Sequence, residues 1–299
     1  MKPFSLRALL ALLGALLLLL ATPARAQGTM VRVHTSLGPI DMRLLDDAAP
    51  ITVANFLAYA RAGDWRDMFF HRSARLANGT PFVVQGGGFR WPEASATCCT
   101  SVVTRGAIKN EFSAQRSNLR GTVAMAKLGG NPDSATSQWF VNMGNNAANL
   151  DNQNGGFTVF AQVTGPGMVV ADRIAALPIV NAGGNYAELP VIDYVSGQAI
   201  QRRNMVLVSQ VTELPVLAQQ SDSDRIFNYL EAAYPQYLAS APSSTGTFDG
   251  YTYRHYASAN AYVGTKDGKV WYLVPAVGPN IGELGTMASW LATAQQAGY

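Results

Sequence analysis

The sequence predicts a mainly β protein: a closed β-barrel with helical covers, followed by a small α+β module. Three observations carry this. Short runs with apolar residues at every second position recur between residues 31 and 209, separated by glycine-rich loops, which is the pattern of half-buried strands. Only two stretches in that region have helical spacing. Near residue 215 the composition changes, because residues 216–299 hold 13 of the 29 aromatic residues, nine of them tyrosine.

The first 26 residues read as an export signal. Lys2 and Arg7 precede an alanine- and leucine-rich run over 8–20, and Ala24-Arg25-Ala26 supplies a cleavage pattern. The apolar run of about 13 residues is short of the roughly 20 that span a bilayer. The mature chain is therefore expected to start at Gln27, periplasmic or secreted in a bacterium and not attached to a membrane. Removing 1–26 takes three basic residues and no acids, leaving 19 of each sign. The net charge of +3 belongs to the leader, so nucleic acid loses its electrostatic case as a partner.

Residues 27–213 form the expected barrel domain. Val31, Val33 and Thr35 alternate, as do Ile40, Met42 and Leu44, around Leu37-Gly38: a hairpin. Val53, Phe56, Leu57 and Ala60 repeat at helical spacing, with Gly63 as the stop. Strands are expected over 68–72, 81–86, 121–126, 139–142 and 157–163, a second helix over 168–177, and a closing strand around Met205, Leu207 and Ser209.

The chemistry concentrates in five stretches. They are Phe70-His71-Arg72, Phe82-Val83-Val84-Gln85-Gly86-Gly87-Gly88-Phe89, Arg120-Gly121-Thr122-Val123-Ala124-Met125-Ala126, Ser134-Ala135-Thr136-Ser137-Gln138-Trp139-Phe140-Val141-Asn142 and Phe157-Thr158-Val159-Phe160. No nucleophile elbow or acid–base–nucleophile set occurs among them. The triple glycine lacks the Lys-Ser/Thr of a phosphate loop. Neighbours on a strand point to opposite faces, so only one of His71 and Arg72 enters a given site; His71 reads as structural. The three histidines and the adjacent pair Cys98-Cys99 make no metal-binding pattern. No cofactor or metal is expected. What remains is an arginine among apolar and amide side chains.

In this order the five stretches resemble the cyclophilin family of peptidyl-prolyl isomerases, over roughly residues 29–212. The resemblance implies a closed eight-stranded antiparallel barrel with two capping helices, and an enzyme that rotates Xaa-Pro bonds in proline-containing polypeptides. It implies that Arg72 is catalytic and that Phe82, Val83, Phe140 and Leu150 form the proline pocket, with Phe157 beside it. Gln85 matches the glutamine that orients the arginine, and Ala126, Lys127 and Gln138 match the neighbouring peptide groove. Three features depart from the family: a longer link over 73–80, Val83 where methionine is common, and Asn149 where an aromatic is common. The competing expectation is a non-catalytic peptide-binding or adhesion protein that uses the barrel for recognition.

Residues 214–221 read as a linker and 222–299 as a small tyrosine-rich α+β domain. An amphipathic stretch with Ile226, Phe227, Leu230 and Tyr234 follows Asp222 or Ser223 as helix cap. Lys266-Asp267-Gly268 marks a hairpin, and 287–295 a final helix. Its tyrosines suit either a binding face or a small core. The sequence names no partner for it.

Overall fold

The computed structural model describes residues 28–239, 241–275 and 278–299. The expected export signal, 1–26, lies outside the described residues. The strands follow in chain order as β1 (Met30–Thr35), β2 (Gly38–Leu44), β3 (Met68–Phe69), β4 (Arg72–Arg75), β5 (Pro81–Gly86), β6 (Phe89–Arg90), β7 (Thr100–Ser101), β8 (Thr122–Met125), β9 (Trp139–Asn142) and β10 (Val159–Val163). After these, β11 (Ile179–Val180) pairs with β12 (Leu189–Pro190), and β13 (Leu207–Glu213) returns to the main sheet. Three helices accompany them: α1 (Pro50–Ala62), the short α2 (Ala147–Leu150) and α3 (Gly165–Ala176).

The main sheet has eleven strands in the order β4-β5-β9-β8-β10-β2-β1-β13-β3-β6-β7. It is curled, but its ladders do not close into the expected eight-stranded ring: β4 and β7 are its edges. The single strand expected over 68–72 is divided. Met68 and Phe69 pair with β13, whereas Arg72 to Arg75 pair with β5. Between them the Phe70 amide donates to Val206 and the His71 amide to Gln85. The chain, not a ladder, thus links β4, at one edge of the order, to β3, third from the other edge.

Inside the curl lie Val33, Ile40, Met42, Val84, Val123, Val141 and Phe160, with Phe56 of α1 and Ile174 of α3. Helix α1 begins with Pro50 in its first turn, where no amide partner is lost. It ends at Gly63, whose φ of 70° suits a residue without a side chain. The link over 73–80 extends the β4–β5 hairpin, its turn closed by the Leu76 amide donating to Thr80.

The C-terminal part adds α4 (Asp222–Ala233), β14 (Ser244–Phe248), β15 (Tyr251–Tyr256), β16 (Ala261–Lys266), β17 (Lys269–Leu273), β18 (Gly282–Thr286) and α5 (Met287–Gln296). The five strands make one antiparallel meander. The cap of α4 is Ser221, one residue before Asp222 and two before Ser223, the expected caps; its hydroxyl accepts from the Asp224 amide. That placement leaves Asp222 and Asp224 in the first turn, where the helix dipole favours acids. One sheet face packs Tyr256, Val263, Val270 and Val274 against Ile226, Phe227 and Leu230. On the other, Phe248, Tyr251, Tyr253, Tyr262 and Trp271 line an apolar hollow of about 320 Å³. The tyrosines therefore divide between a core and an open face.

The two parts meet through buried charges. Arg32 of β1 is 1% exposed. Its guanidinium makes a bidentate pair with Asp41 of β2 at 2.7 Å, donates to the Asn228 carbonyl at 2.7 Å, and pairs with Glu231 of α4. Glu231 also accepts from Arg254 at 2.9 Å and from the Tyr256 hydroxyl at 2.7 Å. The Tyr299 hydroxyl donates to Asp41 at 2.5 Å. Burial alone would lower the Arg32 pKa, but Asp41 and Glu231 hold it well above its ordinary value.

Candidate active site

Strand register builds the site. Arg72 stands opposite Gln85, Gln85 opposite Phe140, and Phe140 opposite Ala124. Residues directly opposite share a sheet face, so one row across β4, β5, β9 and β8 puts a guanidinium, an amide and an aromatic ring side by side. The next row, Ser73, Val84, Val141 and Val123, faces the other way, and its three valines enter the core.

A bulge then adds a side chain that simple alternation would have turned away. Ala74 pairs with Val83, but Arg75 pairs with Pro81, leaving Phe82 as the extra residue. A bulge re-aims its side chain, and both Phe82 and Val83 join the outer apolar cluster. That cluster also holds Ala124, Ala126, Phe140, Leu150 and Phe157. The Phe140 and Phe157 rings meet edge to face at 5.9 Å.

Behind the pocket runs a buried amide network that sequence reading missed. Asn142 donates to Asn118 and Thr122. Asn146 donates to Asn142 and to the Phe82 carbonyl. Asn118 donates to Asp151 and to the Phe157 carbonyl. These bonds fix the backbone of two pocket walls. Asn142 was visible in sequence only as the end of a strand; its burial is what marks it.

The polar rim is arranged differently from the expectation. Arg72 Nε donates to Glu188 Oε2 at 2.7 Å, while its Nη1 lies 3.4 Å from Gln85 Oε1. Gln85 spends its amide nitrogen on Gln138 Oε1, at 2.8 Å. The Ala126 amide donates to the Gln138 carbonyl, which brings these two groove residues together. The Lys127 ammonium donates to the carbonyls of Asn154 and Gly156 and sits 4.9 Å from the Phe157 ring centre. It braces the pocket loop, and burial lowers its pKa. Glu188 had no motif around it and was not anticipated.

His71 is 3% exposed beside this rim and lines the same polar cavity as Arg72, against the expectation that only one of the two enters a given site; it lies in the break between β3 and β4, where strand alternation does not hold. Burial, and then the neighbouring Arg72 charge, lower its pKa to about 4. Burial and then Arg32 do the same to His34, also to about 4. Below pH 6.5 the unfolded chain takes up protons that these folded imidazoles refuse. Stability is therefore expected to fall as pH drops from 6.5 toward 4, by up to about 1.4 kcal/mol per unit for each histidine. Urea unfolding at a series of pH values reads this slope. His71→Gln should make it shallower, and an unchanged slope would contradict a neutral buried His71.

Residues 30–194 match the family model described as "Cyclophilin type peptidyl-prolyl cis-trans isomerase/CLD". The chain belongs to the cyclophilin family. A peptidyl-prolyl cis-trans isomerase of Acinetobacter baylyi is 40% identical over 156 residues, covering 52% of this chain and 76% of that protein. Peptidyl-prolyl cis-trans isomerase B of Escherichia coli is 38% identical over 170 residues, covering 56% of this chain and 95% of its own. Among solved structures, a cyclophilin type isomerase of Cryptosporidium parvum superposes with a TM-score of 0.45 at 19% identity, covering 62% of this chain and 97% of that one. This cyclophilin is thus a peptidyl-prolyl cis-trans isomerase. The family match ends at residue 194, so the C-terminal sheet lies beyond it.

Proposed function

We propose that this cyclophilin rotates Xaa-Pro bonds in exported polypeptides, with Arg72 as the catalytic group and Phe82, Val83, Phe140, Leu150 and Phe157 as the proline pocket. The observation that carries the reading is the cross-strand row that sets Arg72 and Gln85 beside Phe140 at the edge of an apolar cluster. The barrier to rotation is about 18–20 kcal/mol, because twisting the amide breaks its resonance. No covalent bond needs to break, so no nucleophile is required.

In the twisted state the imide nitrogen gains lone-pair density. A guanidinium N–H that donates to that nitrogen acts in the transition state and hardly at all in the planar ground state, so it raises the rate instead of only tightening binding. The twisted amide is also less polar than the planar one, which the apolar walls favour while they grip the ring. Gln85 and Gln138, locked together, offer amide groups to the peptide backbone beside the proline. The leader over 1–26 supports an exported location, periplasmic or secreted, and clients that fold there. The domain reading of 27–213 as isomerase, 214–221 as linker and 222–299 as an added module stands on the same footing.

The test is exchange NMR on an Ala-Pro-containing tetrapeptide, using the full chain without its leader. Acceleration of cis–trans exchange at substoichiometric enzyme is expected. Peptide binding without acceleration would favour the non-catalytic recognition reading. Neither binding nor acceleration would reject both.

A further inference from the structure

We propose that Glu188 is a positioning residue for the isomerase reaction, its carboxylate setting the plane and place of the Arg72 guanidinium. The proposal rests on Arg72 being the catalytic group.

The distances separate two possible holders. The carboxylate accepts from Nε at 2.7 Å, whereas the Gln85 oxygen lies 3.4 Å from Nη1, near the limit of a hydrogen bond. A charge-assisted bond at the shorter distance is also intrinsically the stronger. Gln85 is further committed through its nitrogen to Gln138. Its position follows the glutamine pair as much as the arginine.

Glu188 is itself anchored. Its carbonyl accepts from the amide of Ser73, the residue after Arg72, at 2.8 Å. Main chain and side chain of Glu188 therefore grip consecutive residues of β4. Just before it, residues 184–186 form a tight turn entered through Gly183 and Gly184, at φ 83° and 52°. The Tyr186 ring pins that turn against Phe89 at 5.0 Å and Phe69 at 6.0 Å. The carboxylate thus reaches a polar cavity of about 260 Å³ shared with His71, Arg72, Gln85 and Gln138 from a fixed support.

Which nitrogen is held decides the consequence. A guanidinium carries five N–H groups in one plane. Fixing Nε fixes that plane and leaves most of the Nη hydrogens to face the substrate. An arginine without this contact keeps its charge but spreads it over more rotamers, and small losses of alignment cost rate. Arg72 and Glu188 side chains are 40% and 38% exposed, so the pair adds little to stability. A bound peptide covers it and lowers the local dielectric, which strengthens the contact when rotation occurs.

The experiment is a double-mutant cycle on the full chain without its leader, with kcat and KM from exchange NMR and the melting temperature as a control. Glu188→Ala is expected to lower kcat about five- to twentyfold with KM within about twofold. Glu188→Gln, which still accepts from Nε, should keep at least about a third of the wild-type kcat. In an Arg72→Ala background, Glu188→Ala should change kcat by less than about twofold, because its only route to the reaction is gone. The same loss in both backgrounds, or wild-type or raised activity of Glu188→Ala, would overturn the proposal. Full activity of Arg72→Ala alone would instead remove the reading beneath it.

Discussion

Arg72→Ala is expected to lower kcat/KM for Xaa-Pro rotation by at least tenfold, which is about 1.4 kcal/mol of transition-state stabilisation. The fold should survive. Arg72 is half-buried, its partners Glu188 and Gln85 remain in contact with solvent, and surface pairs of this kind contribute little to stability. Arg72→Lys should lose most of the activity as well. An ammonium is a point charge on a flexible stem, without the planar fork that binds Glu188 through one nitrogen and presents others. Exchange NMR together with thermal unfolding measures both quantities. Near-wild-type rates in the two variants would remove Arg72 from the chemistry.

The largest effect on stability is expected at Glu231. Glu231→Ala withdraws the acceptor from Arg32, Arg254 and the Tyr256 hydroxyl together. Arg32 keeps Asp41, but a buried guanidinium then faces the place of a missing charge. Breaking a buried ion pair from one side costs about 3–5 kcal/mol. Arg32→Met should cost a similar amount, because it removes the one cation that Asp41 and Glu231 share and leaves Asp41 with the Tyr299 hydroxyl and Glu231 with Arg254 and Tyr256. The double variant Arg32→Met with Glu231→Met should be less destabilised than the sum of its singles, because the Arg32–Glu231 pair is then removed whole, although Asp41 and Arg254 each lose a partner. Urea unfolding followed by tryptophan fluorescence reads all three. Additive losses would mean that the two charges do not act on each other.

Much of this was legible in the sequence, and the limits have physical causes. The strand pattern located the β1–β2 hairpin, β5, β9 and all of β10, which it began two residues early, because each has one face in the core. The five motifs named Arg72, Phe82, Gln85 and Phe140, all near one another in the fold. Alternation could not place Phe82, since a bulge changes the face of a residue without changing its neighbours in sequence. Glu188 is 116 residues from Arg72 along the chain, and a lone acid in a loop carries no periodic signal. The asparagine network was hidden for the same reason: amide side chains look alike whether they are buried or wet. Strands β14 and β18 were missed because Ser-Thr-Gly-Thr-Phe and Gly-Glu-Leu-Gly-Thr lack alternating apolar residues. Their pairing partners, not their own composition, make them strands.

The junction of the two parts also bears on inheritance. Arg32 and Asp41 belong to the first hairpin of the curled sheet, yet Glu231 and Tyr299, which satisfy them, belong to the C-terminal part. A curled sheet that lost this tail would carry an arginine and an aspartate suited to a dry interface on a wet surface. A curled sheet that gained it without them would leave Glu231 with Arg254 and the Tyr256 hydroxyl but without its partner on β1. Each one-step exchange is penalised, so the tail is poorly suited to shuffling as a detachable cassette. Positions 32, 41, 231 and 299 are placed to descend together, as one trait written in two distant stretches of the gene.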